Sequence, residues 1–268
     1  MKLILFSGSH PRHLYVNRNL PNYFDEVLVI VMQREELLPK PPTSLNNRDK
    51  NLFVDHFKNR NIVELSTYGD LNTEEVFKDF KTIYLQPSEL NTESIAEEIK
   101  IFDADFAFIF GVDLILDPLI SKLPHNKINL HLGLSPWYRG SATLFWPFYF
   151  LQPQFCGSTF HQITKTADAG EIIHQCIPKL EQGDKIHDVG AKCVKKAAED
   201  IPILMQHWLR HRTFQGKLQK TTGRNWRSMD FHASHLRVIY ELFEDNIVDS
   251  YLRGELEQRL PTLFSCLK

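Results

Sequence analysis

Residues 106–111 have the sequence FAFIFG, which is apolar at five consecutive positions and ends at a glycine. A short run of this kind, apolar on both faces and followed by a turn residue, predicts a buried strand. Similar runs occur at residues 2–8 (KLILFSG), 26–32 (EVLVIVM) and 127–132 (KINLHL), and a shorter one at 82–86 (TIYLQ). Strands that are apolar throughout are typical of parallel sheets covered on both faces.

Helical patterns separate and follow these strands. Residues 91–105 (NTESIAEEIKIFDAD) have helical spacing, with Asn91 as the predicted N-cap. Residues 187–209 (HDVGAKCVKKAAEDIPILMQHWL) predict a long amphipathic helix. Strands alternating with helices predict an α/β fold, with a mainly parallel sheet flanked by helices. Residues 39–50 (PKPPTSLNNRDK) are rich in Pro and Asn and predict a surface loop.

The chain changes character near residue 185. We expect a main domain at residues 1–185 and a smaller α+β extension at residues 186–268, which holds the long helix, a basic stretch and further helical segments. A length of 268 residues suits a main domain with an appendage. The predicted main domain contains all the strand signals, so we expect any chemistry there.

Charge and composition exclude several classes of protein. Lys and Arg number 31 against 33 Asp and Glu, so no overall positive field gathers nucleic acid. The apolar run at the N-terminus is too short for a signal peptide, and no stretch approaches the roughly 18 apolar residues of a membrane span, so we expect a cytoplasmic protein. The four cysteines have neither metal-ligand nor disulfide spacing, and no metal site is predicted. These cysteines are Cys156, Cys176, Cys193 and Cys266.

Two polar residues stand where the strand at 127–132 leaves the core. Asn129 and His131 are two apart, so their side chains point to the same face of the strand. Active sites of parallel sheets lie at the carboxyl ends of the strands. A later carboxylate, Asp168, precedes an Ala-Gly turn. Together the three would supply an oxyanion donor, a proton-transfer group and a carboxylate that orients the imidazole. Structural hydrogen bonding is the alternative for Asn129 and His131.

Two longer stretches carry a resemblance to a known family. Residues 129–148 (NLHLGLSPWYRGSATLFWPF) and 157–175 (GSTFHQITKTADAGEIIHQ) resemble the catalytic core of the formyltransferases that use N10-formyltetrahydrofolate. The resemblance implies a Rossmann-like fold and N10-formyltetrahydrofolate as cosubstrate. It also implies that Asn129 stabilises the oxyanion, His131 assists proton transfer and Asp168 supports His131. No covalent nucleophile is needed, because an amine attacks the formyl carbon directly.

The same resemblance implies a folate pocket between two loops. One loop follows the strand that ends at Gly111, and the other precedes Asp168. Apolar walls and main-chain hydrogen bonds would recognise the flat pterin ring. Simple core packing is the alternative for Leu114 and Leu116. The residues implied are Gly111, Val112, Leu114, Leu116, Thr164 and Ala167.

Two further segments are candidates for binding the acceptor. The first loop, residues 7–13 (SGSHPRH), would bring Ser9, His10 and Arg12 to a phosphate, unless it is a plain connection between a strand and a helix. The second segment supplies an aromatic and guanidinium surface that suits stacking on a base or a sugar. Its residues are Trp137, Tyr138 and Arg139.

Size, mixed charge and the C-terminal sequence resemble the sugar N-formyltransferase branch. The implied acceptor is the C-3 or C-4 amine of a deoxysugar linked to dTDP, GDP or UDP, used in O-antigen, lipopolysaccharide or other surface-glycan synthesis. The alternatives are a methionyl-tRNA formyltransferase with a reduced C-terminal domain, a formyltetrahydrofolate hydrolase and a sugar-binding module without activity. No nucleic-acid or membrane partner is expected, and a homodimer through the C-terminal region stays open.

Overall fold

The computed structural model describes residues 1–33, 37–220 and 223–267. Its centre is a seven-stranded sheet with the strand order β3-β2-β1-β4-β5-β7-β8, and β6 and β9 form a separate two-stranded sheet. The strands are β1 Lys2–Gly8, β2 Glu26–Met32, β3 Lys81–Leu85, β4 Phe106–Phe110, β5 Asn126–His131, β6 Tyr138–Gly140, β7 Ser158–Gln162, β8 Ile172–Cys176 and β9 Arg224–Trp226.

The predicted mainly parallel α/β fold is confirmed. Strands β1 to β5 run parallel to one another. Strand β7 runs antiparallel to β5, and the edge strand β8 runs antiparallel to β7, so the sheet is mixed on that side. The five strand signals of the sequence correspond to β1 to β5, and β2 covers the same residues as its apolar run.

Helices cover both faces of the sheet. They are α1 Pro11–Asn17, α2 Asn47–Tyr68, α3 Thr73–Val76, α4 Glu93–Phe102, α5 Trp146–Tyr149, α6 Ile186–His211 and α7 Ile247–Leu252. Alternate residues of β1 enter different cores: Leu3 packs on the α6 side, and Ile4 packs on the α4 side. Burial on both faces explains why these strands are apolar throughout.

Two boundary predictions are wrong. Helix α4 begins at Glu93 with Thr92 in the N-cap position, and Asn91 instead donates to the carbonyl of Leu114 and accepts from the amide of Leu116. The amide side chain therefore stabilises a loop, not a helix end. The predicted loop at residues 39–50 ends earlier than expected, because α2 starts at Asn47 and the Asn46 side chain accepts from the Asp49 amide.

The C-terminal region packs on the main domain. Helix α6 contacts α1 and α2, and its buried residues join the core of the large sheet. Strand β9 pairs with β6, and Trp226 of β9 stacks on Trp146 with 3.9 Å between ring centroids. The division at residue 185 stays a prediction. No helix in the described ranges is long and apolar enough to cross a bilayer.

Candidate functional site

A cavity of about 720 Å³ lies at the carboxyl ends of β1, β4 and β5. Asn129 and His131 reach it from the end of β5, as their spacing predicts. Asp168 reaches it from the loop between β7 and β8. The three residues singled out in the sequence thus line one cavity, which we call the catalytic cavity after their predicted role.

The His131 ring has a polar group on each side. Nε2 lies 2.9 Å from the carbonyl oxygen of Tyr138, and Nδ1 lies 3.4 Å from Oδ2 of Asp168. A carbonyl can only accept, so Nε2 carries the hydrogen and Nδ1 presents its lone pair. Burial lowers the pKa of His131, while the charge of Asp168 and the Tyr138 carbonyl oppose this effect. The ring is therefore neutral near pH 7, with an acceptor atom beside a carboxylate.

His161 is a member of the site that the sequence argument missed. Its Nδ1 lies 2.8 Å from the carbonyl of Gln162, and its Nε2 lies between Nδ2 of Asn129 at 3.1 Å and Oδ1 of Asp168 at 3.3 Å. Because the Gln162 carbonyl takes the Nδ1 hydrogen, Nε2 is the ring atom that accepts from the Asn129 amide. The feature that could have indicated this role is a polar residue on the buried strand β7. In the register of β7 on β5, His161 lies opposite Asn129.

Asp168 is fixed by its surroundings. The amide of Gly140 donates to Oδ2 at 2.8 Å, and the carboxylate side chain is only 13% exposed. Burial by itself raises the pKa of this carboxyl, but the contacts with His131, His161 and the Gly140 amide outweigh it and hold the pKa well below its usual range. Asp168 is therefore a carboxylate at neutral pH.

Gly133 lies two residues after the end of β5, where neighbouring atoms leave no room for a side chain. A Cβ at this residue would lie 2.4 Å from Nε2 of His131 and 2.7 Å from the carbonyl oxygen of Tyr138. A side chain here would therefore disturb the bond that fixes the His131 ring. Thr159 supports the same loop, since its hydroxyl donates to the Gly133 carbonyl at 2.7 Å and accepts from the Ser135 amide at 3.0 Å.

The residues predicted to bind folate are brought together with one exception. The loop after β4 and the loop before Asp168 face each other across the catalytic cavity, which five of the six residues line. Leu116 is not among the described lining residues; its amide is bound by Asn91 and its side chain is exposed. The five lining residues are Gly111, Val112, Leu114, Thr164 and Ala167.

The first loop does not present an open set of positive charges. Arg12 lines the catalytic cavity, with Nη2 3.2 Å from a carboxylate oxygen of Glu64. His10 is buried, with Nδ1 3.3 Å from the same carboxylate, and Ser9 is half-buried. Burial and the neighbouring Arg12 lower the pKa of His10, so its ring is neutral. A phosphate role for these three residues stays a prediction.

The predicted stacking residues lie on another surface. Trp137 and Tyr138 line a second cavity of about 380 Å³, none of whose described lining residues lines the catalytic cavity. Its other walls are Phe150, Gln152, Phe155, Arg224, Trp226 and Arg259. Arg139 turns towards the carbonyl of Gly223, at 3.2 Å.

One group of potential metal ligands lies away from the site. His174, Cys176 and Asp200 have their ligand atoms within 4.8 Å of one another. His174 Nε2 is 3.0 Å from Asp200, and Lys196 forms an ion pair with the same carboxylate. Burial raises the pKa of Cys176 well above its usual value, so it is a neutral thiol. The group is therefore a hydrogen-bonded network in which an ammonium already neutralises the carboxylate.

Comparison with known proteins assigns the chain to a family. The sequence profile described as formyl transferase matches residues 58–204, more than half of the chain. This chain belongs to the formyl transferase family. The matched segment includes Asn129, His131, His161 and Asp168. A methionyl-tRNA formyltransferase of Lachnospira eligens is 26% identical over 158 residues, which is 56% of this chain and 50% of the relative. The chain thus spans half the length of this curated relative.

Solved formyltransferases share the fold. A sugar N-formyltransferase from Shewanella superposes with a TM-score of 0.58 at 14% identity, covering 86% of this chain and 78% of that one. The formyltransferase PseJ from Anoxybacillus kamchatkensis, solved with UDP-4,6-dideoxy-4-formamido-L-AltNAc and tetrahydrofolate, has a TM-score of 0.50 at 19% identity, covering 93% and 96%. At these identities the likeness concerns the fold.

Proposed function

We propose that this formyl transferase moves a formyl group from N10-formyltetrahydrofolate to the primary amine of a nucleotide-linked amino deoxysugar. The observation that carries the proposal is that Asn129, His131 and Asp168 line one cavity, which adjoins a second, smaller one. The proposed setting is surface-glycan synthesis in the cytoplasm. Membership of the formyl transferase family supports the reaction type.

The chemistry needs no covalent nucleophile. The amine nitrogen bonds to the formyl carbon, and the formyl oxygen gains negative charge. The Asn129 amide group has two hydrogens, of which His161 Nε2 accepts one, and the other donates to this oxygen. Oriented donors in a site of low polarity stabilise such a charge by several kcal/mol, about 3 to 4 for a single donor.

Proton transfer completes the reaction. Neutral His131 accepts the proton of the attacking amine at Nδ1, and Asp168 stabilises the resulting imidazolium. The formyl C=O bond then re-forms as the bond between the formyl carbon and N10 breaks, and N10 takes the proton that His131 holds. Tetrahydrofolate leaves, and the product carries the formyl group on its nitrogen in place of one hydrogen. The Tyr138 carbonyl keeps the other ring nitrogen protonated throughout.

The donor half of the cavity suits a flat ring. Val112, Leu114 and Ile115 form an apolar wall, and residues 163–168 form the opposite loop. An apolar wall that faces a polar loop is an arrangement that suits recognition of a pterin. The donor would thus approach His131 from the side of β4.

The acceptor half adjoins a smaller cavity of about 230 Å³. The two cavities share seven lining residues, which are Arg12, Phe57, Arg60, Leu132, Ala142, Thr143 and Phe231. His56 and His187 line the smaller cavity, and the hydroxyl of Tyr240 lies 2.7 Å from His56 Nδ1 and 3.3 Å from His187 Nε2. Burial lowers the pKa of His187 to about 3, so this wall is uncharged and suits sugar hydroxyl or amide groups.

The nucleotide part of the acceptor has a separate candidate surface. The second cavity combines Trp137, Phe155 and Trp226 with two guanidinium groups, Arg224 and Arg259. Aromatic faces stack on bases, and guanidinium groups bind phosphates. Arg224 lies over the Trp226 ring, 4.0 Å from its centroid, so the guanidinium group is held at the wall of this cavity.

The competing acceptor is charged initiator tRNA, because the curated relative is a methionyl-tRNA formyltransferase. The basic residues near residue 220 are the candidates for binding tRNA. Arg227 lies 3.5 Å from the Asp230 carboxylate, so part of this charge is already paired within the chain.

The test is turnover with a panel of acceptors. The protein is incubated with N10-formyltetrahydrofolate and dTDP-, GDP- or UDP-linked sugars that carry a C-3 or C-4 amine, and tetrahydrofolate release is followed. We expect one nucleotide-linked amino sugar to be turned over. Turnover of methionyl-tRNA with none of the sugars would overturn the sugar acceptor. The matching sugars without the amine serve as controls and should give no release.

A further inference from the structure

Two described segments outside the matched family region contact the candidate site. Residues 217–220 and 223–226, together called the strap here, lie beyond the segment 58–204 that defines the family match. At one end, Lys217 and Ile172 exchange two backbone hydrogen bonds of 2.8 and 2.9 Å. At the other end, Arg224–Trp226 pairs with Tyr138–Gly140. The strap therefore joins the two loops that supply the catalytic groups.

Gln219 is the residue of the strap that contacts the Asp168 loop. Its Nε2 donates to the carbonyl oxygens of Asp168 and Gly170, each at 2.7 Å. Two acceptors require the two hydrogens of the NH₂ group, so the orientation of the amide is fixed: the reverse orientation would set three oxygens against one another. Gln219 is half-buried, and its two short hydrogen bonds hold the main chain on both sides of residue 169.

The backbone of Asp168 needs this support. Its φ is 49°, in the left-handed region that costs a residue with a Cβ about 1 kcal/mol or more. Gly170 packs so closely that a Cβ there would lie 1.8 Å from the carbonyl oxygen of Gln162. The loop is thus confined on one face by β7 and on the other by Gln219. The direction of the Asp168 carboxylate follows from this backbone conformation.

The strap fixes the opposite loop in the same way. Gly223 lies against Pro136, where a Cβ would come within 1.5 Å of the Pro136 carbonyl oxygen. The Ser141 amide donates to the Trp226 carbonyl at 2.8 Å. This loop contains Tyr138, whose carbonyl orients His131, and Gly140, whose amide binds Asp168. Both partners of the His131–Asp168 contact are therefore set by contacts with one segment.

We propose that Gln219 is a positioning residue for formyl transfer, which holds Asp168 in the conformation that directs its carboxylate at His131. No residue of the described parts of the strap lines the catalytic cavity, so Gln219 acts through Asp168 and not on the substrate. The inference rests on the proposed roles of Asp168 and His131. Its test includes a measurement that needs no acceptor.

The decisive variant is Gln219→Met, which keeps the length of the side chain and removes both donors. Gln206→Met, at an exposed position of α6, is the matched control. The imidazole signals of the full-length protein are followed by NMR as the pH is changed, and the His131 signal is assigned by its absence from His131→Asn. We expect the His131 titration midpoint to move to lower pH in Gln219→Met alone, because Asp168 no longer supports the imidazolium.

Kinetics supply the second measurement. With the amino sugar that the wild-type protein turns over, we expect Gln219→Met to lower kcat about tenfold or more, since small displacements of catalytic groups are costly. KM for N10-formyltetrahydrofolate should stay within about twofold. A variant with lowered thermal stability but an unchanged His131 titration and kcat would overturn the positioning role. If the wild-type protein turns over no sugar, the acceptor proposal fails, and the titration alone decides on Gln219.

Discussion

Nδ1 of His131 lies 3.4 Å from Oδ2 of Asp168, although the two residues come from a central strand and from a loop beyond the next strand of the sheet. Neither group has its ordinary acidity. Burial lowers the pKa of His131, and the contacts of Asp168 hold the pKa of its carboxyl well below the usual range. The pair is a neutral base beside a carboxylate, which is the arrangement that can accept a proton from an attacking amine.

Replacing His131 tests the base directly. We expect His131→Asn to lower kcat by about 10²–10⁴-fold, because the proton acceptor is lost. The exposed His125 provides the control variant His125→Asn, which should keep full activity. Circular dichroism establishes that both variants fold. An active His131→Asn protein would show that this ring does not take the proton.

The pH profile of kcat should follow from the lowered pKa of His131. His131 must be neutral to accept a proton, so activity is lost as the pH falls through its pKa. Burial lowers that pKa from the ordinary value of 6.5, so the acidic limb should have its midpoint below pH 6.5. Initial rates at saturating substrate, measured between about pH 5 and 9, check this. A midpoint above pH 7 would contradict a buried neutral imidazole.

Asp168→Asn removes the charge that favours protonated His131. The amide oxygen of Asn can still accept from the Gly140 amide, so the loop should keep its conformation. We expect kcat to fall by about 10²-fold or more and the acidic limb to move to still lower pH, because the opposing charge is gone. Asp79→Asn, at an exposed carboxylate, should change neither quantity. A profile that moves upward would mean that Asp168 does not support the imidazolium.

A carboxylate outside the site, Asp245, should make the folding stability of the protein depend on pH. Burial raises the pKa of Asp245 from 3.8 to about 6, and its Oδ1 accepts from the Ile186 amide at the start of α6. Because the folded pKa lies above the unfolded one, this group's contribution is present below about pH 3.8 and is lost as the pH rises through about 6.

Asp245→Asn keeps the acceptor and removes the buried charge. Asn also tolerates the φ of 55° at this position. We expect the variant to be more stable than the wild type at pH 7 by on the order of 1 kcal/mol, after allowance for partial exposure, and to lose this advantage near pH 4. Urea unfolding at the two pH values measures the difference. Glu244→Gln, at the exposed neighbouring carboxylate, should show no such dependence.

The central sheet and the placement of Asn129 and His131 in one cavity were predictable for one physical reason. Strands buried on both faces must be apolar throughout, so Asn129 and His131 stand out where β5 leaves the core. Their spacing places both side chains on one face of the strand. Because they stand at its carboxyl end, they lie where parallel sheets bind their ligands. Asp168 needed the family resemblance as well, because a loop carboxylate has no periodicity.

Other elements lacked such a signal. Helix α2 was missed because its apolar residues form no clear stripe, and several of its buried side chains are polar, among them His56 and Glu64. The contact of His161 with Asn129 depends on the antiparallel register of β7 on β5, which a sequence does not contain. Trp137 and Tyr138 line the second cavity and not the one that contains His131, a placement that depends on the course of the backbone between His131 and Gly140, which has no periodicity to read from the sequence.

Transfer of the label from N10-[¹³C]formyltetrahydrofolate tests the central claim most directly. The wild-type protein and His131→Asn are incubated with this donor and a nucleotide-linked amino sugar, and the carbon is followed by NMR. We predict that the wild-type protein moves the label to a formamide on the sugar and that His131→Asn does so at least about 100-fold more slowly. Label released by the wild-type protein as formate, with the sugar unchanged, would contradict formyl transfer to an amine.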